Sequence, residues 1–147
     1  MSSRYRWIMI EVYIQEEQFN TQEIIKYIES KKLSGAMVSF VGSVRGESFN
    51  KNINKLFIEN YKKMAEKVIK STAEEAFKKW ELSYCYIIHR YGNLDPLEPI
   101  VMIITCSKHR KEAFAANQFI IDFLKINAPF WKKEDFGNES KWVEQSG

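Results

Sequence analysis

The sequence predicts an α+β domain, with a mixed sheet, packed helices and a small C-terminal β subdomain. Two observations predict this class. Segments typical of strands are interspersed with three segments whose apolar residues follow helical spacing, and the 147 residues contain neither an internal repeat nor a linker. A chain of this length usually forms one domain, so residues 1–147 are expected to fold as a single unit.

The N-terminal part is predicted to contain a strand, a helix and a second strand. Residues Trp7–Ile14 alternate in polarity and are rich in Ile, Val and Tyr, which is typical of a strand. A helix begins at a capping residue, Asn20 or Thr21, and runs to about residue 30. The apolar segment GAMVSFVGSVR then predicts a second strand, which places Arg45 at a strand end.

The middle of the chain is predicted to form a loop, three strands and a helix. A polar loop covers Gly46–Asn54, and a strand follows at Lys55–Tyr61. Apolar residues at every fourth position predict a helix over Met64–Trp80. Strands are predicted at Tyr84–Tyr91 and Ile100–Cys106, joined by a loop, NLDPLEP, whose two prolines do not suit a central strand.

The last predicted elements are a long helix and two short strands. The helix runs from about Lys111 to Ile126 and ends before Pro129. Short strands are predicted at Phe130–Glu134 and Lys141–Glu144, separated by the turn-rich segment DFGNES. This region is where the small β subdomain is expected.

Composition excludes several classes of protein. A chain that is 45% hydrophobic and 28% charged, with six Gly and three Pro, is too apolar to be disordered or of low complexity. A net charge of +3 favours an anionic ligand but is smaller than nucleic-acid binders usually carry. No apolar run approaches the roughly 20 residues of a membrane-spanning helix. We therefore expect a protein that binds neither nucleic acid nor membrane.

Two cysteines and the N-terminal segment indicate a cytoplasmic setting. Cys85 and Cys106 lie in apolar runs without CxxC spacing, so neither a zinc site nor a disulfide framework is predicted. Arg4 and Arg6 precede an apolar stretch, but Glu11 interrupts it and no small-residue cleavage site follows, so no signal peptide is expected.

The segment SKHRK, Ser107–Lys111, places up to four cationic groups at the predicted start of the last long helix. A helix N-terminus already carries partial positive charge, so cations there are unfavourable unless an anion binds among them. A phosphate would satisfy the cluster. The alternative is that these side chains are solvated at the surface.

Other cations could share this role. Arg45 precedes a glycine that would let the backbone approach a ligand, although a strand-end arginine is more often only solvated. Lys125 and Lys132 flank the tripeptide APF, and Lys133 next to Lys132 would lower the pKa of one member of the pair. A lysine of lowered pKa can act as a nucleophile or general base; the alternative is a basic surface turn.

The cations of SKHRK and those outside it are expected to converge on one phosphate pocket at the N-terminus of the last helix. The residues of this predicted pocket are Arg45, His109, Arg110 and Lys132. The pocket need not be built by one protomer. His89 is interpreted as structural, and Cys106 paired with His109 is kept as a weaker thiol-nucleophile hypothesis.

The same places carry a resemblance to the molybdopterin synthase large subunit, the MoaE family, from about Gly35 to Glu144. The motifs, in order, are GAMVSFVGSVR, YIIHRYG, SKHR followed by AFAANQFIIDFLK, LKINAPFWKKE and the closing KWVE. Each motif alone is weak, whereas the ordered set is highly specific.

The resemblance implies an α/β hammerhead fold, a homodimer, and a small ubiquitin-like sulfur-carrier subunit on each protomer, giving a heterotetramer. The Gly-Gly tail of that partner, activated as a thiocarboxylate, would enter a pocket of the large subunit. Sulfur would then move in two rounds onto cyclic pyranopterin monophosphate, forming the dithiolene of molybdopterin. The resemblance implies no metal or dissociable cofactor for this step.

The resemblance also implies which residues act. The family's catalytic lysines match Lys125 and Lys132. The substrate-contacting positions match Ser43, Val44, Arg45, His109, Arg110, Lys133 and Glu134. The cations would neutralise the phosphate and the carboxylate tail, and a lysine would shuttle protons or capture the released acyl group.

The chain departs from the family pattern at three places. Ser43 stands where many relatives have lysine, Asn127 where a basic residue is common, and NLDPLEP lacks the glycine usually found before its glutamate. The alternative function is an α/β module that binds RNA or a nucleotide without catalysis. Such a module would expose aromatic side chains for stacking, and the sequence offers no clear platform of that kind.

Overall fold

The computed structural model describes residues 9–143. Its strands are β1 Ile10–Gln15, β2 Ala36–Ser43, β3 Glu47–Ser48, β4 Lys51–Asn52, β5 Lys55–Asn60, β6 Tyr84–Arg90, β7 Gly92–Leu94, β8 Pro99–Ser107, β9 Phe130–Asp135 and β10 Ser140–Val143. Its helices are α1 Thr21–Glu29, α2 Lys62–Lys79 and α3 Arg110–Ile126. Across the described range, none of the helices is both long and apolar enough to cross a membrane.

The helices begin and end close to the predicted residues. Asn20 caps α1, since its side chain accepts a hydrogen bond from the Glu23 backbone N–H at 3.0 Å. The α+β class with packed helices is confirmed. Three predicted strand residues, Trp7, Ile8 and Glu144, lie outside the described part of the chain.

The main sheet is mixed and has the order β1-β6-β8-β2. β1 runs parallel to β6, and the other neighbours are antiparallel. β6 is buried along its whole length because both faces of the sheet are covered. One face packs with the apolar residues of α2 and α3, and the other, through Tyr84, Tyr86 and Ile88, packs against α1. The central strands therefore form the core between helices.

A second sheet, of order β10-β9-β5-β7, forms the β subdomain. The predicted C-terminal strands are present and pair with each other, and β9 also pairs with β5 from the middle of the chain. The prediction of a continuous loop after β6 was wrong at β7, which pairs with β5 from Gly92 opposite Ile58 to Leu94 opposite Leu56. A strand of three residues at a sheet edge has too short a pattern to be recognised in the sequence.

Candidate active site

A cavity of about 430 Å³ opens where the end of β2, the C-terminal half of α3 and β9 meet. Its polar lining consists of Ser43, Arg45, His89, Lys125, Lys132 and Glu134. The apolar lining comes from β2, β5, β8 and α3 and includes Phe40, Leu56, Ile103 and Leu124. An apolar cavity with a few convergent charged groups is the usual form of a small-molecule site.

The end of β2 brings three predicted residues to this cavity. The pairing of β2 with β8 shifts register between Gly42 and Ser43, which redirects the chain at the cavity rim. Val44 is buried and is held by the turn before β8: its N–H donates to the Glu98 carbonyl at 2.9 Å. Arg45 follows, with a guanidinium that reaches toward β9.

β9 supplies the opposite wall. Alternate residues of a strand face the same side, so Phe130, Lys132 and Glu134 form one row toward the main core and the cavity. Lys125 reaches the cavity from the last turn of α3. The tight Ala128-Pro129 connection brings β9 back beside the helix end, and both predicted catalytic lysines therefore line one cavity.

Glu134 is the most deeply buried charge in this group, with 3% of its surface exposed. Its Oε2 lies 3.1 Å from Arg45 Nη2, which also approaches Ser48 Oγ at 3.4 Å. Among the described residues, Glu134 Oε1 is buried without a hydrogen-bond partner. An unsatisfied buried carboxylate oxygen is unfavourable, so the cavity is prepared to accept a hydrogen bond from a ligand N–H or O–H donor.

The pKa of Lys132 lies below its ordinary value. Burial is the main cause, and the positive charges of Lys125 and Arg45 lower the pKa further, while Glu134 opposes them. From the sequence, this effect was predicted to come from Lys133. That assignment was wrong, because neighbouring strand residues face opposite sides: Lys133 Nζ lies 5.4 Å from the ring centroid of Trp142, outside the cavity.

His89 lines the cavity, although only a structural role was predicted for it from the sequence. Its ring stacks on Phe130 at 3.9 Å between centroids, and its Nδ1 lies 2.7 Å from the Arg90 carbonyl oxygen. Burial, and then the charge of Lys132, lower the pKa of His89 to about 3. A neutral ring that donates from Nδ1 keeps Nε2 as an acceptor. No motif in the sequence signals this, because Phe130 and Lys132 come from a distant strand.

His109 and Arg110 lie at the other end of α3. His109 is the N-cap residue of the helix, its side chain makes no capping hydrogen bond, and both residues are exposed. A helix of 17 residues is about 25 Å long. Within one chain, the expected convergence of these two residues with Arg45 and Lys132 is therefore not found.

The antiparallel pairing of β2 with β8 explains this separation. Ala36 lies opposite Ser107, so the start of β2 is beside the start of α3, whereas Arg45 follows the far end of β2. Gly35 permits the close approach: it has φ +100°, and a Cβ there would lie 2.4 Å from the Ser107 carbonyl oxygen. The strand that carries Arg45 thus runs away from the SKHRK cluster.

The thiol-nucleophile hypothesis is not supported. Cys106 is 2% exposed, and burial raises the pKa of its thiol to about 11. A buried, protonated thiol is a poor nucleophile.

Comparisons with known proteins agree on one family. The family model described as "MoaE protein" matches residues 14–127. A molybdopterin synthase catalytic subunit of Haemophilus influenzae is 36% identical over 135 residues, covering 92% of this chain and 90% of the relative. A protein of the same description from Pseudomonas aeruginosa is 39% identical over 134 residues, covering 90% and 89%.

Solved structures show the same similarity. The molybdopterin biosynthesis MoaE protein of Burkholderia ambifaria superposes with a TM-score of 0.79 at 35% identity, covering 95% of this chain and 92% of that one. A molybdopterin synthase from Staphylococcus aureus also gives a TM-score of 0.79, at 32% identity, covering 90% and 96%.

Proposed function

The chain belongs to the MoaE family, and from that premise we propose that it is the catalytic subunit of a molybdopterin synthase. It transfers sulfur from the C-terminal thiocarboxylate of a small ubiquitin-like subunit to cyclic pyranopterin monophosphate, forming the dithiolene of molybdopterin. The observation that carries this proposal is the single cavity that joins Lys125 and Lys132 to Arg45 and Glu134. The named relatives do not favour the RNA- or nucleotide-binding alternative.

The cavity suits the chemistry of acyl and sulfur transfer. The thiocarboxylate sulfur attacks a pterin carbon that bears oxygen and forms the new carbon–sulfur bond, while the carbon–oxygen bond breaks and the departing oxygen takes its electron pair and a proton from a lysine. The acyl carbon–sulfur bond then breaks with its electron pair left on sulfur. The acyl group passes to an amine or to water, and hydrolysis of an amide so formed would return the carrier as a carboxylate. Lys132, with its lowered pKa, is the amine suited to capture the acyl group or to take up a proton.

The other polar residues bind and orient. Arg45 and Lys125 place positive charge where a phosphate and an incoming carboxylate tail would enter. The free oxygen of Glu134 can accept a hydrogen bond from an N–H group of the pterin or of the tail. Ser43 and Val44 contribute the cavity rim. Lys133 faces away from the cavity within one chain. We therefore assign it a contact with the sulfur-carrier subunit and no contact with the pterin.

We propose that a second copy of the chain completes the site with the partner subunit's His109 and the partner subunit's Arg110. β2 is an edge strand of the main sheet, and Met37 and Val41 are exposed along it, with Phe114 of α3 also exposed. An antiparallel, two-fold pairing of β2 with its copy would lay the start of one strand beside the end of the other. That arrangement brings the SKHRK end of one chain to the Arg45 end of its partner.

Mixed dimers test the shared site. Lys125→Ala and Arg110→Ala subunits are each expected to be inactive, and subunits mixed by denaturation and refolding should regain about one quarter of wild-type activity. Half of the dimers would then be mixed, and one of the two sites in each would be intact. Recovery in the mixture, with none in either parent, supports a site built by two chains. Absence of recovery in dimers proven to be mixed contradicts it.

The sulfur donor is tested by purification and reconstitution. A tagged chain purified from its native host should retain a small protein that ends in Gly-Gly. Wild-type chain given that protein as a thiocarboxylate should convert the pterin, whereas chain given sulfide alone should not. We also propose a single-domain subunit and a cytoplasmic location, the second of which is supported by the two buried free cysteines.

A further inference from the structure

The turn Asp95–Glu98, between β7 and β8, holds the cavity end of β2 by its backbone. The Val44 N–H donates to the Glu98 carbonyl, and the Leu97 N–H donates to the Val44 carbonyl, both at 2.9 Å. Val44 is 2% exposed and stands directly before Arg45. The placement of Arg45 therefore depends on a turn whose own residues do not line the cavity.

An ion pair fastens this turn to the main sheet. Arg90, the last residue of β6, places Nη1 3.3 Å from Glu98 Oε1, and its Nε donates to the Glu16 carbonyl at 2.8 Å. The same Glu98 oxygen accepts the Asp95 backbone N–H at 2.7 Å, and its other oxygen accepts the side-chain amide of Gln18. One carboxylate thus ties both ends of the turn to β6 and to the loop that follows β1.

The Arg90–Glu98 pair is much more buried than the second ion pair of the same turn. The side chains of Arg90 and Glu98 are 7% and 18% exposed, and loss of one partner from a buried pair leaves an uncompensated charge. The same turn carries a second ion pair, Lys55 with Asp95 at 2.8 Å, but those side chains are 51% and 59% exposed. An exposed pair contributes little, so Asp95 offers a matched control.

We propose that Arg90 and Glu98 are positioning residues for the sulfur-transfer cavity. Their ion pair fixes the Asp95–Glu98 turn, the turn fixes Val44 through two backbone hydrogen bonds, and Val44 sets where the Arg45 guanidinium lies. Neither side chain lines the cavity, so both act through the backbone. This inference rests on the proposed function for one point only, the identity of the ligand that Arg45 binds.

Steady-state kinetics with the thiocarboxylated carrier test the effect on substrate. Glu98→Ala should raise the KM for cyclic pyranopterin monophosphate about tenfold with a smaller change in kcat, because misplacing a binding group weakens orientation. Asp95→Asn should leave both constants within about twofold. In an Arg45→Ala background, Glu98→Ala should add less than about twofold, since the residue through which it acts is gone. An equally large effect in that background overturns the proposal.

Hydrogen exchange tests whether the Arg90–Glu98 pair holds the Asp95–Glu98 turn against Val44, an arrangement called the clamp below, and it needs no assay of activity. In Glu98→Ala the amides of Val44 and Leu97 should exchange at least about tenfold faster, while the amide of Ile87 in β6 keeps its wild-type rate. If this variant does not fold, Glu98→Gln, which keeps the shape and the acceptor for Asp95, replaces it with a smaller expected change. Unchanged exchange at Val44 and Leu97 overturns the clamp. Faster exchange in a protein whose wild type forms no molybdopterin overturns the proposed function and leaves the clamp supported.

Discussion

The two ends of α3 both carry cations, yet they differ in what surrounds those cations. At the C-terminal end, Lys125 shares a cavity with Lys132 and Arg45, which arrive from different strands, and the pKa of Lys132 is lowered. At the N-terminal end, His109 and Arg110 are adjacent in sequence and exposed to solvent. The cations that are adjacent in sequence are the easier to recognise as a cluster. The cations that converge only in the folded chain are the ones that lower the pKa of a member, Lys132.

The difference follows from how each end is enclosed. β9 and the end of β2 enclose the cavity beside the C-terminal end of α3, so Lys132 is partly desolvated there and its interactions with neighbouring charges are strengthened. The N-terminal end lies beside the start of β2, at the exposed edge of the main sheet. That end can become a comparable site only if another surface covers it.

The largest expected effect in this comparison is that of Lys125→Ala. Loss of a group that acts in proton transfer or charge neutralisation should reduce turnover of the pterin precursor by at least about 100-fold. The free energy of unfolding should change by less than about 0.5 kcal/mol, because Lys125 is an exposed helix residue. A reconstituted assay with thiocarboxylated carrier and a denaturant titration measure the two quantities.

Lys78→Ala is the matched control for this substitution. Lys78 is also an exposed lysine in the last turn of a helix, α2, but it lies away from the cavity. Its activity should remain at the wild-type level. Near-normal turnover by Lys125→Ala would remove that residue from the mechanism and weaken the contrast between the two ends of α3.

Much of the fold could be predicted because its elements have local signals. The cap at Asn20, the periodicity of α2 and α3 and the apolar runs of β6 and β8 are all properties of neighbouring residues. The pairing of β5 with β9 joins residues far apart in the sequence, and the spacing of apolar residues within each strand does not predict it. The sequence could therefore predict strands near Lys132 without predicting which charges would surround it.

The candidate site shows the same limit. Lys125, Lys132, Arg45 and Glu134 were predicted chiefly through family resemblance, and the structure places them around one cavity. His89 was missed as a cavity residue because its environment is made by Phe130, from another sheet. Lys133 was given the wrong influence on Lys132, since sequence adjacency says nothing about which side of a strand a residue faces.

A smaller effect is expected from His89, whose burial distinguishes it from the exposed His109. The pKa of His89 is lowered to about 3, so the folded protein stays uncharged there while the unfolded chain binds a proton below about pH 6.5. The unfolded state then holds more protons, and folding stability rises with pH between about 3 and 6.5. This contribution should amount to about 2 kcal/mol between pH 6.5 and pH 5.

His89→Asn tests this contribution, because asparagine can still donate to the Arg90 carbonyl. Denaturant unfolding at several pH values should show that the variant loses less stability than the wild type on acidification, whatever its stability at neutral pH. Parallel wild-type and His89→Asn curves would show that the buried ring is protonated in the folded protein.

The smallest expected effect concerns Leu97, in the turn that holds the cavity end of β2. Leu97 has φ +71°, a left-handed conformation that costs a non-glycine residue about 1–2 kcal/mol. Its side chain is 74% exposed, so little packing is lost on truncation.

Leu97→Gly should relieve the backbone strain, but it should also raise the entropy of the unfolded chain, which lowers folding stability by about 0.5–1 kcal/mol. The free energy of unfolding should rise by about 0.5 kcal/mol, with catalysis unchanged because both backbone hydrogen bonds to Val44 remain. Denaturant titration measures the gain, and a loss of stability would mean that the Leu97 side chain contributes contacts at this end of the cavity that outweigh its backbone strain.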